Sequence, residues 1–251
     1  MKTLLLLFAC VLLANNSSLL ANDEESTENA SSIVLSLAQD PSFGFYPFVN
    51  GSVPLNSTTD FTFYGIFWTQ DALAGNKGGL GLLTEFGVGL NFKFAEGAFY
   101  LNPNLGIGNG KFQSGGGRHV FADNLALSLF AGYSNEILDL AVGGIYWKGF
   151  RREEMITPYL DQIEYTFNSW VKANNWFAVG LYFDHFLITE DDKNTTDTYT
   201  GYFWVGPAFK FTAKSGASMW FTFGPDFVQS LNDEKDPQIQ DYYKLVASFP
   251  F

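Results

Sequence analysis

The chain has 251 residues, carries a formal net charge of -12, and is 18% aromatic but only 16% charged. Soluble domains carry about 25% charged residues, so this composition points to apolar surface that meets something other than water. With no basic cluster to neutralise phosphates, nucleic-acid partners are excluded. After the N-terminus no apolar run reaches the roughly 18 residues that a spanning helix needs.

Met1-Lys2-Thr3 followed by the apolar run 4–13 reads as a signal peptide over residues 1–21. Cleavage is expected after Ala21, where Asn22-Asp23-Glu24-Glu25 begins abruptly. Leu7-Phe8-Ala9-Cys10 loosely resembles a lipidation box, but Cys10 comes early and more apolar residues follow it. No other cysteine exists, so the exported chain has neither a disulfide nor thiol chemistry. Residues 22–31 are acidic and rich in Ser and Asn, and read as a disordered periplasmic leader. Asn29, Asn56 and Asn194 begin glycosylation-type triplets, which in a bacterial exported chain are turn residues.

Strand signals then recur to the end of the chain. They fall at 33–39, 45–55, 60–69, 82–94, 98–108, 120–133, 138–147, 160–172, 176–187, 199–212, 217–227 and the closing segment. The clearest is 82–94, where Thr84, Phe86, Val88, Leu90, Phe92 and Phe94 alternate with Glu85, Gly87, Gly89, Asn91 and Lys93. Alternate side chains of a strand point to opposite faces, so each such segment has one apolar and one mixed face. Pro103 lies inside 98–108 and removes one ladder donor.

The connections differ in length in a regular way. Short turns fall at 95–97, 134–136, 173–175 and 213–216, and longer polar loops at 70–81, 109–118, 148–159, 188–198 and 228–240. Short periplasmic turns opposite long outer loops are the arrangement of outer-membrane barrels. The predicted fold over residues 32–251 is therefore all-β: an antiparallel up-and-down transmembrane β-barrel of about twelve strands. The turn at Asp40-Pro41-Ser42 is tight for an outer loop, which leaves ten strands plus an N-terminal hairpin as the alternative.

Two ascending segments repeat one another. Asp60-Phe-Thr-Phe-Tyr-Gly-Ile-Phe-Trp68 aligns with Asp139-Leu-Ala-Val-Gly-Gly-Ile-Tyr-Trp147. Shared barrel geometry, with an aromatic at the upper membrane boundary, accounts for it. A duplicated binding site is the other reading.

At the C-terminus Tyr243, Leu245, Ala247, Phe249 and Phe251 alternate with Lys244, Val246, Ser248 and Pro250. This segment resembles the closing strand of Gram-negative outer-membrane barrels, which ends on an aromatic residue. The resemblance implies that Tyr243, Leu245, Phe249 and Phe251 act as an assembly signal read by the barrel-assembly machinery. Phe43-Gly-Phe-Tyr-Pro47, Phe61–Thr69, Thr84–Phe92 and Asn104-Leu-Gly-Ile-Gly-Asn-Gly110 resemble an uncharacterised family of porin-like outer-membrane proteins. That likeness is clearest over residues 43–110. It implies an integral outer-membrane barrel among lipids and lipopolysaccharide, and it carries over no substrate and no functional residues.

With apolar faces toward lipid, the acids Asp60, Glu85, Asp139, Glu164, Asp184 and Asp226 and the bases Lys93, Lys172, Lys210 and Lys244 fall on the inner face. Confined charges of both signs either pair across the wall or line a polar conduit. Gly87, Gly89, Gly106, Gly108, Gly143, Gly180 and Gly206 share that face and leave room for solute. They equally leave room for Tyr100, Trp170, Tyr182, Trp204 and Trp220.

The acidic runs 190–192 and 233–236 lack the spaced ligands and turn glycine of an EF-hand loop, so no metal or other cofactor is expected. Lys148, Arg151 and Arg152 are placed to meet lipopolysaccharide head groups. His119 and His185 are the only imidazoles. His119 is followed by Val120-Phe121-Ala122 rather than the His-x-Ser-Asn-Gly of the outer-membrane phospholipase, and adjacent Asp184 and His185 point to opposite faces. The reading is a non-enzymatic barrel of undetermined oligomeric state, expected to pass small polar solutes by diffusion. A closed structural or surface-interaction barrel is the alternative, and an outer-membrane lipase or protease a remote one.

Overall fold

A strand apolar on one face finds a solvent for that face by closing into a cylinder within lipid, where every backbone N–H and C=O is met by a neighbouring strand. The computed structural model describes residues 31–69, 80–113, 120–149, 159–192, 195–227 and 240–251. The expected signal peptide and the expected leader through Ala30, together with His119, Arg151, Arg152, the run 233–236 and the side chains of 190–192, lie outside the described residues. The remainder belongs to one compact unit, Ser31–Phe251.

The chain runs through β1 (Ser32–Asp40), β2 (Gly44–Asn56), β3 (Thr59–Trp68), β4 (Leu80–Phe94), β5 (Phe99–Gln113) and the two-residue β6 (Val120–Phe121). It continues through β7 (Asn124–Ser134), β8 (Leu138–Gly149), β9 (Tyr159–Asn174), β10 (Phe177–Asp192), β11 (Thr195–Thr212), β12 (Ser218–Asp226) and β13 (Gln240–Pro250). All pairings are antiparallel, and no helix occurs among the described residues. The order runs from β4 back through β1 to β13, down to β7 and β5, and β4 pairs with β5 to close the wall. Twelve strands form this barrel. The short β6 is a flap on the end of β5.

The ten-strand alternative fails because β1 is an integral wall strand. It pairs with β2 on one side and β13 on the other. Val34 lies opposite Pro250 and Gln39 opposite Leu245. The Phe251 N–H donates to the Ile33 carbonyl at 2.8 Å, and the Ser36 and Ser248 hydroxyls are 2.8 Å apart. Tyr243, Leu245 and Phe251 are largely exposed on the outer surface, as are Phe86, Ile107, Leu129 and Val142. This belt is the lipid-facing surface of a transmembrane barrel.

Several boundaries move relative to the sequence reading. The segment 120–133 is two strands, broken at Ala122-Asp123. There the Asp123 carboxylate accepts the Gly110 N–H at 2.8 Å and the Asn109 amide at 3.2 Å, replacing ladder bonds with side-chain bonds. The expected loop 109–118 begins later, because β5 continues to Gln113 against Leu80. The expected loop 188–198 is mostly strand, since β10 and β11 stay paired to Asp192 and Thr195 past a register shift at Phe186/Leu187. Pro103 interrupts the β4–β5 ladder, and the Asn102 side-chain amide donates to the Leu90 carbonyl at 2.9 Å in its place.

The turn from β4 to β5 is strained. Ala95 and Glu96 both have positive φ, 49° and 56°, and the Gly97 N–H donates to the Phe94 carbonyl at 3.1 Å. Two consecutive positive φ values across a four-residue turn are the type I′ pattern, which favours Asn-Gly. An L-residue with a Cβ costs about 1–2 kcal/mol in that region. Replacing Ala95-Glu96 by Asn-Gly is expected to stabilise the folded barrel by about 1 kcal/mol. A denaturant midpoint in lipid vesicles that stays put or falls would refute it.

Candidate functional site in the barrel interior

Directly paired strand residues share a face, so the ladder register places each predicted charge. Asp139 is opposite Trp170, Lys172 and Lys210 are both opposite Ala178, and Asp226 is opposite Trp204. Trp170, Ala178 and Trp204 are buried within the barrel, as are Asp60, Glu85, Asp184 and Asp226 themselves. Lys93, Glu164 and Lys244 reach interior partners described below. The charges are distributed in tiers along the barrel axis.

Nearest the short-turn end, Lys93 bridges Asp60 at 2.9 Å and Lys172 bridges Asp139 at 2.7 Å. These two pairs extend the internal repeat, because Asp60, Trp68, Glu85 and Lys93 recur at one constant spacing as Asp139, Trp147, Glu164 and Lys172. Beside the first pair, Asn102 donates to the Thr62 hydroxyl at 3.0 Å and Asn104 to the Asn102 side chain at 2.9 Å.

Midway lies a buried charge cluster. Lys244 Nζ approaches Asp184 Oδ2 at 3.5 Å and donates to the Tyr182 hydroxyl at 2.9 Å. That hydroxyl in turn donates to Asp184. Glu164 meets Asp184 and accepts from the Tyr202 hydroxyl at 3.2 Å. Asp40 completes the group: its carboxylate takes the backbone N–H of Ser42 at 3.0 Å and of Phe43 at 2.7 Å, and the Tyr46 hydroxyl at 2.9 Å. Asp40 and Asp184 are fully enclosed, so Lys244 is the cation on which both depend.

Above that cluster the long-loop end is filled by rings. Phe43, held inward by the Asp40-capped turn, lies 5.7 Å from Phe121 and 6.0–6.3 Å from Tyr46, Phe112, Phe186 and Tyr202. Phe121 also packs on Trp68 at 5.8 Å and Trp147 at 5.6 Å. Tyr202, Trp204 and Tyr242 form a stacked column with centroids 4.0 and 5.0 Å apart. Trp147 donates from its indole N–H to Glu85 at 2.7 Å, and Tyr64 donates to the same carboxylate at 2.8 Å. Trp68 and Trp147 thus face inward as plug residues, not toward an upper membrane boundary, because both share the face of Asp60 and Asp139.

The room left by inner glycines is occupied. A Cβ on Gly87 or Gly106 would strike the Tyr64 ring, one on Gly132 the Tyr100 ring, and one on Gly143 the Phe130 ring. Alternation marks most plug residues as inward. Phe43 escaped sequence analysis because it sits on a turn, where no period assigns a face, and Phe121 because the break at Ala122-Asp123 reverses the face that an unbroken strand 120–133 would give it. Lys148 is on the outer wall, bridged to Asp161 at 2.6 Å.

The adjacent residues Asp184 and His185 point to opposite faces of β10. Asp184 is enclosed in the interior, while His185 points outward with its ring 5.1 Å from Phe203 and 6.4 Å from Tyr165. Among the described residues no group of His, Cys, Asp and Glu is arranged to hold a metal ion.

The family of unknown function DUF6733 matches residues 1–251, so the chain belongs to it. No curated protein sequence matches. Among solved structures, the COG4313 outer membrane channel from Pseudomonas putida F1 aligns with a TM-score of 0.57 at 10% identity, covering 92% of this chain and 100% of that one. At that identity the likeness is one of fold alone, the closed antiparallel β-barrel. A KdgM porin (TM-score 0.48, 10% identity, 87% and 99% covered) and a NanC porin (0.49, 8%, 86% and 98%) also align.

Lys244→Met is expected to destabilise the barrel by about 3–5 kcal/mol, because it strands Asp184 and Asp40 in the interior. Adding Asp184→Asn is expected to recover part of that loss, measured as denaturant unfolding in vesicles. Equal stability of Lys244→Met and the native chain would refute the dependence. Trp147→Phe, which removes one donor from Glu85, is expected to cost about 1.5–3 kcal/mol by the same measurement.

Proposed function

We propose that this member of a family without an assigned function is an outer-membrane channel for small polar solutes, shut at rest by its aromatic plug. Long loops face outward and short turns face the periplasm in such barrels, so the plug closes the outer end. The observation that carries the reading is the gradient of exposure along the inner wall. Near the short turns the Lys172 and Lys93 side chains are 31% and 25% exposed and those of their partners Asp139 and Asp60 26% and 10%. At mid-height Lys244 is at 14% and Asp184 at 0%. This is a polar vestibule open toward the periplasm that ends against packed rings.

Phe43 and Phe121 are the plug rings carried by connections instead of wall strands, so their displacement is the cheapest way to open it. A second reading, a permanently closed structural barrel, is favoured by the bonds that tie non-adjacent strands together across the interior, Trp147 to Glu85 and Lys244 to Asp184. Recording in planar bilayers separates the two. The native barrel is expected to be silent apart from brief openings, and the Phe43→Ala/Phe121→Ala double variant to conduct. Steady conductance from the native barrel would overturn closure at rest. A folded double variant that stays silent would overturn the channel reading in favour of the structural one.

A further inference from the structure

Lys93, Lys172 and Lys244 on the inner wall each lie within salt-bridge distance of an aspartate. Lys210 does not. Its ammonium lies over the Trp170 ring, 5.9 Å from the centroid. The Trp170 and Trp220 indoles meet edge to face at 5.9 Å, and Tyr182 flanks Trp220 at 5.4 Å. In a chain where acids outnumber bases, a lysine held by ring faces and no carboxylate is the vestibule's available positive charge.

The register shows how the wall makes space for this group. Lys172, Ala178, Lys210 and Trp220 follow one another across β9 to β12. In the next row Trp170, Gly180, Ala208 and Thr222 do the same. Ala178 in the first row and Gly180 and Ala208 in the second let the two indoles lean toward each other over a low floor. Lys172 faces the same floor, but Asp139 neutralises it.

We propose that Lys210, Trp170 and Trp220 form a binding site for a small carboxylate with a flat apolar face. The carboxylate meets the ammonium as a charge-assisted hydrogen bond, and the flat face lies on the half-buried Trp220 indole, with buried Trp170 backing the ammonium. The site names the solute class for the channel reading and rests on that reading for its use in transport. It sits on the periplasmic side of the plug, so it is reached with the plug closed.

Calorimetric titration of the folded, detergent-solubilised barrel tests the proposal without requiring conduction. Benzoate supplies both features, acetate the charge alone and benzyl alcohol the ring alone. Benzoate is expected to bind saturably, and each single-feature probe to bind at least about tenfold more weakly, the effect of 1.4 kcal/mol. Lys210→Met is expected to abolish benzoate binding, Lys210→Arg to retain it, and Trp220→Leu to weaken it. Heat-modifiable gel mobility verifies that each variant is folded. Absence of benzoate binding to the native barrel, or binding unchanged in a folded Lys210→Met variant, would overturn the site. Silence of the folded Phe43→Ala/Phe121→Ala variant in bilayers together with benzoate binding would sink transport and leave the site standing, whereas conduction by that variant without benzoate binding would remove the site alone.

Discussion

Everything in this structure depends on the ladder between β1 and β13. In a hydrocarbon environment an open sheet edge leaves a row of backbone donors and acceptors without partners, each costing several kcal/mol. Pairing the first strand with the last removes both edges at once. It also sets the register by which every inner side chain is placed. The C-terminal alternation ending on Phe251 is the outward face of that seam, and Lys244 is its inward face.

Closure creates a second problem, which is how to fill or use the space inside. The cylinder solves it differently at its two ends. At the short-turn end the wall carries amides and ion pairs that keep contact with water, so their charges cost little. At mid-height the same chemistry is enclosed, and Asp40, Asp184 and Glu164 are tolerable because Lys244 and tyrosine hydroxyls supply charge and donors. At the long-loop end polar groups give way to rings, which fill volume without needing partners. The internal repeat runs through all three tiers, with an Asp–Lys bridge below and a tryptophan against Phe121 above.

Much of the wall was legible beforehand because a period of two survives any detail of packing. Glu85 and Lys93 read as inward from the alternation of their own strand. The strand ends read less well. Asp123 breaks a strand that its apolar neighbours would continue, because its carboxylate finds the Gly110 N–H and the Asn109 side-chain amide on β5. The β10 and β11 extensions are polar, and polar ladder residues beyond the membrane look like loop in composition. Phe43 and Phe121 were invisible as functional residues. A ring on a turn carries no facing until the turn is folded, and Asp40 folds that of Phe43 inward. The break at Ala122-Asp123 reverses the face of Phe121.

By itself the sequence determined that the chain forms an antiparallel barrel, which end carries the long connections and which side chains of a strand share a face, because alternation and turn spacing are local properties. Only the tertiary structure decided that β1 and β2 join the wall, that the interior is plugged at one end, and which charge meets which. Those outcomes depend on groups far apart in the chain, Trp147 with Glu85 or Lys244 with Asp184, whose meeting is set by the curvature of the closed barrel. The same holds for Lys210. Its sequence position marks it as inward, and only the packed wall shows that tryptophan faces, not a carboxylate, receive it.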